Sequence, residues 1–490
     1  MATPEQKGIS SRHILDYIKS LDAGQHSTHS VIIMQGDDIV FEKYWAPFHK
    51  DFLHRQYSAS KSFVSLAVGF AIQDGLLSLD DPMIKHFPEE LKNQKDENMR
   101  NQTVRHMLMM STAKLQYSWF AARPKDRVAF YFENDREVSR PSGTIYFYDS
   151  TGSFVLGALV EKVTGKSLTD YLREKLFDKI GVSKEAHFLK CPGGYDWGDS
   201  ALLCTTRDML KTAKFVMNGG KWNGEQLLNE EYVRAATSKQ IDNNPGNTVE
   251  NQRCGYGYLF WRTWDNSFMF NGMGDEFAIC VPDKDMILVH NADNQAKPKA
   301  EEAVINGFFE KIVRKKQDTP LPEDPQAEQE LAEYTKDLKL MTAKGEYSSP
   351  WQDKINGVTY ELTPNDFGIT KFRMDFGEDG NCRFCYTNEQ GDKELAFKMG
   401  ENAFGIFPQE GYSREVGSIS CPGNYYKCAA SAAWVEPHKL FIKVQIIDEY
   451  LGALNMAFGF RDNIVGIQMT KIAEDFLNEY EGYAGGVAVQ

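Results

Sequence analysis

The chain has 490 residues, 42% of them hydrophobic, and its 69 acidic against 55 basic side chains leave a net charge of −14. That length exceeds what one hydrophobic core usually serves, so two or three domains are expected, with ample material to bury a catalytic pocket. The acidic balance, with no basic run longer than Arg314-Lys315-Lys316, argues against nucleic acid or an anionic membrane as partner.

In chain order, residues 1–7 lack the apolar stretch of a signal peptide, and no later segment reaches the uninterrupted length of a membrane span. A cytoplasmic protein is expected. Its eight irregularly spaced cysteines are expected to be free thiols. A helix is predicted around 11–21, then strands over 30–34 and 39–45 joined at Gly36-Asp37-Asp38. Next comes Tyr57-Ser58-Ala59-Ser60-Lys61-Ser62-Phe63, opening an almost unbroken apolar run to residue 75. Such a run reads as a buried helix. Residues at i and i+3 share a helix face, so Lys61 is placed beside the Ser58 hydroxyl, with the helix N-terminus directed at it. Ser111-Thr112-Ala113-Lys114 repeats the spacing, but no apolar run follows it.

From about 80 to 247 the chain reads as a helical, loop-rich insert, with helices over 152–164, 167–177 and 206–218. Strands follow at 256–261, 267–270, 277–281 and 286–290, then a helix over 299–313. Strands from both ends of this region predict one antiparallel sheet, with the Ser58 helix between sheet and insert and a cleft there. The proline-rich, charged stretch beginning at Lys315 divides the chain into a domain over 1–315, a linker over 316–335 and a β-rich accessory domain over 336–490. Alternating segments such as 358–362 and 439–444 predict a small β-barrel or sandwich there. Cys382 and Cys385, followed by Cys421 and Cys428, have the wrong second spacing for zinc and read as small apolar fillers.

A serine hydroxyl needs a base, which a lysine or a tyrosine acidified by a neighbouring ammonium can supply. Tyr148-Asp149-Ser150 precedes an apolar helix and offers that tyrosine. Tyr347-Ser348-Ser349 and Tyr386-Thr387-Asn388 share its pattern beyond the linker. His106 reads as a satisfied core or loop histidine. Tyr117, Trp119, Phe120, Trp197 and Trp261 fit an acyl pocket or the core equally well.

Several blocks, in order, resemble the serine β-lactamase-related family of class C β-lactamases, penicillin-binding carboxypeptidases and esterases: YSASKSFVSLAVGFAIQDGLLSLDDP, TVRHMLMMST, YDSTGSFVLGALVEKVTGKS, GGKWNGEQLL and GMGDEFAICVPDKDMILV. The resemblance covers about residues 10–314. It implies an α+β fold of the β-lactamase/transpeptidase type, with Ser58 as acylated nucleophile, Lys61 as its activating partner and Tyr148 as general base. It implies no metal or organic cofactor. Two positions depart from the family pattern. Ser150 stands where Tyr-x-Asn has its asparagine, as a shorter group to orient Lys61 or substrate. Met273, within Gly272-Met273-Gly274-Asp275-Glu276, stands where a lysine or histidine is usual. A missing cation favours uncharged esters or amides over β-lactams. The oxyanion is expected between the Ser58 N–H and a backbone N–H near Glu276.

The resulting expectation is a serine acyl hydrolase acting on a small-molecule ester or amide. The alternatives are an acyltransferase moving the acyl group to a metabolite hydroxyl or amine, a β-lactamase or D-peptidase, and a silent binding protein of the same fold.

Overall fold

The computed structural model describes residues 2–114, 124–133, 139–244, 249–295, 297–377, 379–412, 423–474 and 476–489. These form two units, Met1–Lys339 and Leu340–Gln490.

The first unit is built on a six-stranded antiparallel sheet of β1 (Thr28–Gln35), β2 (Asp38–Tyr44), β3 (Trp261–Arg262), β4 (Phe268–Gly272), β5 (Glu276–Val281) and β6 (Met286–Ala292), in the order β2-β1-β6-β5-β4-β3. The chain's early hairpin thus pairs with its late meander through β1 and β6, Ile32 opposite Val289. Both faces are covered, so β5 is buried at every position. Because successive side chains point to opposite faces, Phe277, Ile279 and Val281 join the core under α1 (Ser11–Ala23) and a helix at Ala300–Lys311. Cys280, on the alternate face, directs its thiol at the Ala213 carbonyl of the helix Thr206–Met217.

The apolar run after Ser58 forms α2 (Ser60–Gln73), buried from Ser60 to Ala71. It packs on α3 (Ser150–Thr164), which is nearly as apolar. The cap of α3 explains its start: the Asp149 carboxylate accepts from the Gly152 N–H at 2.9 Å, satisfying a helix-end donor and leaving Tyr148 just outside.

Two expectations are corrected. Residues 256–261 do not form a continuous strand, because Leu259 takes φ 59° and only Trp261–Arg262 pairs with β4. The stretch 316–335 is not a bare linker: Pro325–Tyr334 is a helix capped by Asp324, and it packs on α1 with Ala327 and Leu331 buried. A proline at the first helical turn is compatible with a helix start, so composition alone misleads there.

The second unit resolves the choice between barrel and sandwich in favour of a barrel. Among the described residues ten strands lie between Thr359 and Val489: nine form a meander whose two ends pair, Thr359 opposite Val489, and the tenth, Ala403–Ile406, pairs with the strand Lys427–Glu436. A parallel contact of Lys398 with Ser431 and Met399 with Ala432 bridges the one skipped connection. Phe372, Phe384 and Phe458 meet inside the barrel at centroid distances of 5.4 to 5.7 Å.

Candidate active site

Ser58 sits on a short 3-10 turn, Tyr57–Ala59, that feeds α2. Lys61 is one turn further on and only 1% exposed. Its ammonium donates to Ser58 Oγ at 2.8 Å and to the Asp199 carbonyl at 2.8 Å. The second contact was not foreseen: sequence reasoning gave that orienting task to Ser150, which begins α3 while its carbonyl accepts from Ser153. No local pattern marks a backbone carbonyl 138 residues away as a lysine anchor.

The Lys61 ammonium also lies 5.1 Å from the centroid of the Tyr148 ring. That ring leans on Trp261, 5.5 Å away. The loop carrying it is tied by Phe147 N–H to the Met110 carbonyl at 2.7 Å and by Gly143 N–H to the Ser111 carbonyl at 2.8 Å. Ser111 and Lys114 therefore serve the scaffold: the Ser111 hydroxyl donates to the His106 carbonyl, and Lys114 lies 3.8 Å from Asp96. His106 is taken up by Ser142 and by the N-terminus of its own helix. Beyond the first unit, the Tyr386 hydroxyl is paired with that of Tyr480 inside the barrel, and Tyr347 is half exposed.

On the other side of Ser58, β4 ends at Gly272, and a Cβ there would stand 2.3 Å from the Gln56 carbonyl oxygen and 3.2 Å from the Ala59 nitrogen. Only glycine lets the strand lie directly on the Ser58 turn. The following turn runs through Met273, 39% exposed, with Gly274 at φ 83° and Asp275 at φ 73°.

Between these elements lies a cleft of about 250 Å³, lined by Ser58, Tyr148, Trp261, Met273, Asp275 and Glu301 among others. Gly272 and Gly274 also line it. Glu276, expected at this strand, turns its carboxylate into the interior and is 0% exposed. Of the aromatic candidates Trp261 lines the cleft, whereas Trp197 is buried between the guanidinium groups of Arg55 and Arg127. Tyr117, Trp119 and Phe120 lie outside the described residues.

Acids dominate the cleft's electrostatics. Burial pushes the Asp275 carboxyl up to about 8, with Glu301, Glu276 and Asp293 adding to the shift against a hydrogen bond from Asn294. Glu301 is also raised, by burial and then by Glu302. The cleft lysine, Lys297, is drawn onto the carbonyls of Gly24 and Gln25. Sequence reasoning passed over Asp275, Glu301 and Lys297; a polar cluster after strand ends beside a glycine turn was the available signal.

Among the described residues no cluster of histidine, cysteine and carboxylate groups forms a metal site. Cys382 and Cys385 stand three apart on one strand, an odd spacing that sends them to opposite faces. Cys421 lies outside the described residues, and the other seven cysteines are free. No helix among the described residues is long and apolar enough to cross a membrane.

A family model described as Beta-lactamase matches residues 15–304. The 6-aminohexanoate-dimer hydrolase of Paenarthrobacter ureafaciens is 24% identical over 264 residues, covering 50% of this chain and 67% of that protein. An uncharacterised protein of Alkalihalophilus pseudofirmus is 23% identical over 281 residues, covering 51% and 74%. Among solved structures, the octameric penicillin-binding protein homologue from Pyrococcus abyssi aligns with a TM-score of 0.51 at 17% identity, over 96% of this chain and 99% of that one.

Proposed function

The chain belongs to the Beta-lactamase family and is a serine hydrolase, and we propose that it hydrolyses an ester or amide of a small molecule through an acyl-enzyme on Ser58. The observation that carries this reading is the 2.8 Å approach of the Lys61 ammonium to Ser58 Oγ, with the same ammonium anchored on Asp199 in a cleft that Tyr148 also lines.

In the proposed reaction Tyr148, acting as general base beside the Lys61 ammonium, takes the Ser58 proton as Oγ attacks the substrate carbonyl. The oxyanion is held by the Ser58 N–H and a backbone N–H of the Gly272–Gly274 turn. Tyr148 returns the proton to the leaving alcohol or amine, and water then attacks the acyl-enzyme.

Substrate preference follows from charge. Among the described residues lining the cleft, Met273 stands in place of a cation and Lys297 is held by two carbonyls, which favours a neutral acyl donor over a carboxylate-bearing one. The likeness to a 6-aminohexanoate-dimer hydrolase supports including linear amides beside esters. A cytoplasmic setting, supported by the seven free thiols, and a small-molecule partner rather than nucleic acid or membrane, supported by the net charge of −14, complete the proposal.

The test is intact-mass spectrometry of wild type and Ser58→Ala after brief exposure to a short-chain p-nitrophenyl ester and, separately, a penicillin. An acyl adduct from the ester on wild type alone is expected. A penicillin adduct would redirect the assignment to β-lactam chemistry. No adduct and no released p-nitrophenol would overturn it.

A further inference from the structure

Glu276 opens β5 directly opposite Gly272, yet its carboxylate is fully buried behind the cleft. Oε1 lies 2.9 Å from His54 Nδ1, and the other oxygen accepts from the Asn291 amide. His54 Nε2 lies 2.7 Å from His29 Nδ1, and His29 Nε2 lies 3.4 Å from Ser27 Oγ. Burial holds His29 well below the usual imidazole range, reinforced by His54 and His290, so His29 is neutral. Ser27, His29, His54 and Glu276 thus form one continuous buried chain of polar contacts.

Both groups that the carboxylate orients act on the segment presenting the nucleophile. His54 begins the run His54-Arg55-Gln56-Tyr57-Ser58, and its carbonyl accepts from the Gln56 side chain at 3.1 Å. The Asn291 amide stands 3.5 Å from Gln56 Oε1, while its own oxygen accepts from Ser30 at 3.0 Å. That segment needs holding. Tyr57 is buried at φ 43°, a left-handed conformation that a bulky residue keeps only where its surroundings impose it. Arg55 braces one side, its guanidinium 4.3 Å from the Tyr57 ring and its Nε on the Ser200 carbonyl at 3.1 Å.

We infer that Glu276 is a positioning residue which, through His54 and Asn291, holds the Gln56-Tyr57-Ser58 turn in the geometry that keeps Ser58 Oγ on Lys61. The inference rests on Ser58 being the nucleophile. Glu276 does not line the cleft, so its loss acts on turnover rather than substrate affinity.

The experiment compares wild type, Glu276→Gln, Asn291→Ala and the double variant by kcat and KM on a p-nitrophenyl ester. Each kcat is normalised to active sites titrated with a fluorophosphonate. A glutamine sets an amide N–H against either His54 or Asn291. The expected result is a fall of about tenfold in kcat per titrated site with KM nearly unchanged, and no further loss in the double variant than in the worse single. Glu161→Gln changes another carboxyl outside the cleft, part-buried and accepting the Asp196 and Leu168 N–H groups; it should leave per-site kcat intact.

A fall below about threefold in folded Glu276→Gln, whatever its melting temperature, would overturn the inference, as would full additivity in the double variant. If Glu276→Gln does not fold, Asn291→Ala alone decides on the same thresholds. Wild type left unlabelled, or Ser58→Ala that still turns over, would instead remove the nucleophile reading and the inference with it.

Discussion

Gly272 lies so close to Gln56 that a side-chain carbon on it would fall 2.3 Å from the Gln56 carbonyl oxygen. The obstacle is backbone and cannot rotate aside, so strand β4 and the Ser58 turn must separate to admit any other residue. Gly272→Ala is expected to cost about 1–3 kcal/mol of stability and about tenfold or more in kcat per titrated site. Thermal melting and ester kinetics on titrated enzyme check both. An unchanged kcat would mean that close apposition of strand and turn is dispensable.

Lys61→Met keeps most of the side-chain volume and removes the ammonium that joins Ser58 Oγ to the Asp199 carbonyl. Acylation should slow by about 10²-fold or more, measured as the rate of fluorophosphonate labelling. Labelling at a near wild-type rate would take Lys61 out of the mechanism.

Tyr148→Phe retains the ring that faces Trp261 at 5.5 Å and Lys61 at 5.1 Å, and removes only the hydroxyl. Loss of a general base predicts a kcat decrease of about 10²-fold with the melting temperature unchanged. A purely structural tyrosine would leave kcat near wild type.

Asp275 provides a pH test. Its carboxyl, pushed up to about 8 chiefly by burial, keeps in the folded chain a proton that the unfolded chain releases above about 3.9. Between those values the folded state binds more protons, so stability falls as pH rises from about 4 to 8 and levels off above. Asparagine cannot ionise and tolerates the φ of 73° at this position. The melting temperature of Asp275→Asn relative to wild type should therefore rise between pH 5 and pH 8, by about 2 °C or more. Parallel curves would show that Asp275 ionises normally.

Much of the frame was legible before any coordinates. A turn of helix brings Ser58 and Lys61 together at i and i+3, and the apolar run behind them marked α2 as buried; both are local properties. The hairpin of β1 and β2, the strands β4 to β6 and the alternating segments of the barrel carried their own periodicity and turns. Local reading failed where a distant contact overrides it. Residues 256–261 have strand composition, but the Leu259 N–H is drawn to the Leu108 carbonyl at 2.9 Å and the chain turns there. The helix at Pro325–Tyr334 hides in linker-like composition because its partner is α1, about 300 residues earlier in the chain.

The same division runs through the site. Residue type and spacing along one helix were enough to place Lys61 beside Ser58, because helical geometry is set by neighbours in the chain. Three further features belong to atoms that folding alone brings together: the Asp199 carbonyl under Lys61, the Gln56 carbonyl against Gly272, and the Glu276 carboxylate between His54 and Asn291. Hydrogen bonds, steric exclusion and desolvation act over a few ångströms of space whatever the sequence separation, so these partners leave no mark in composition or periodicity.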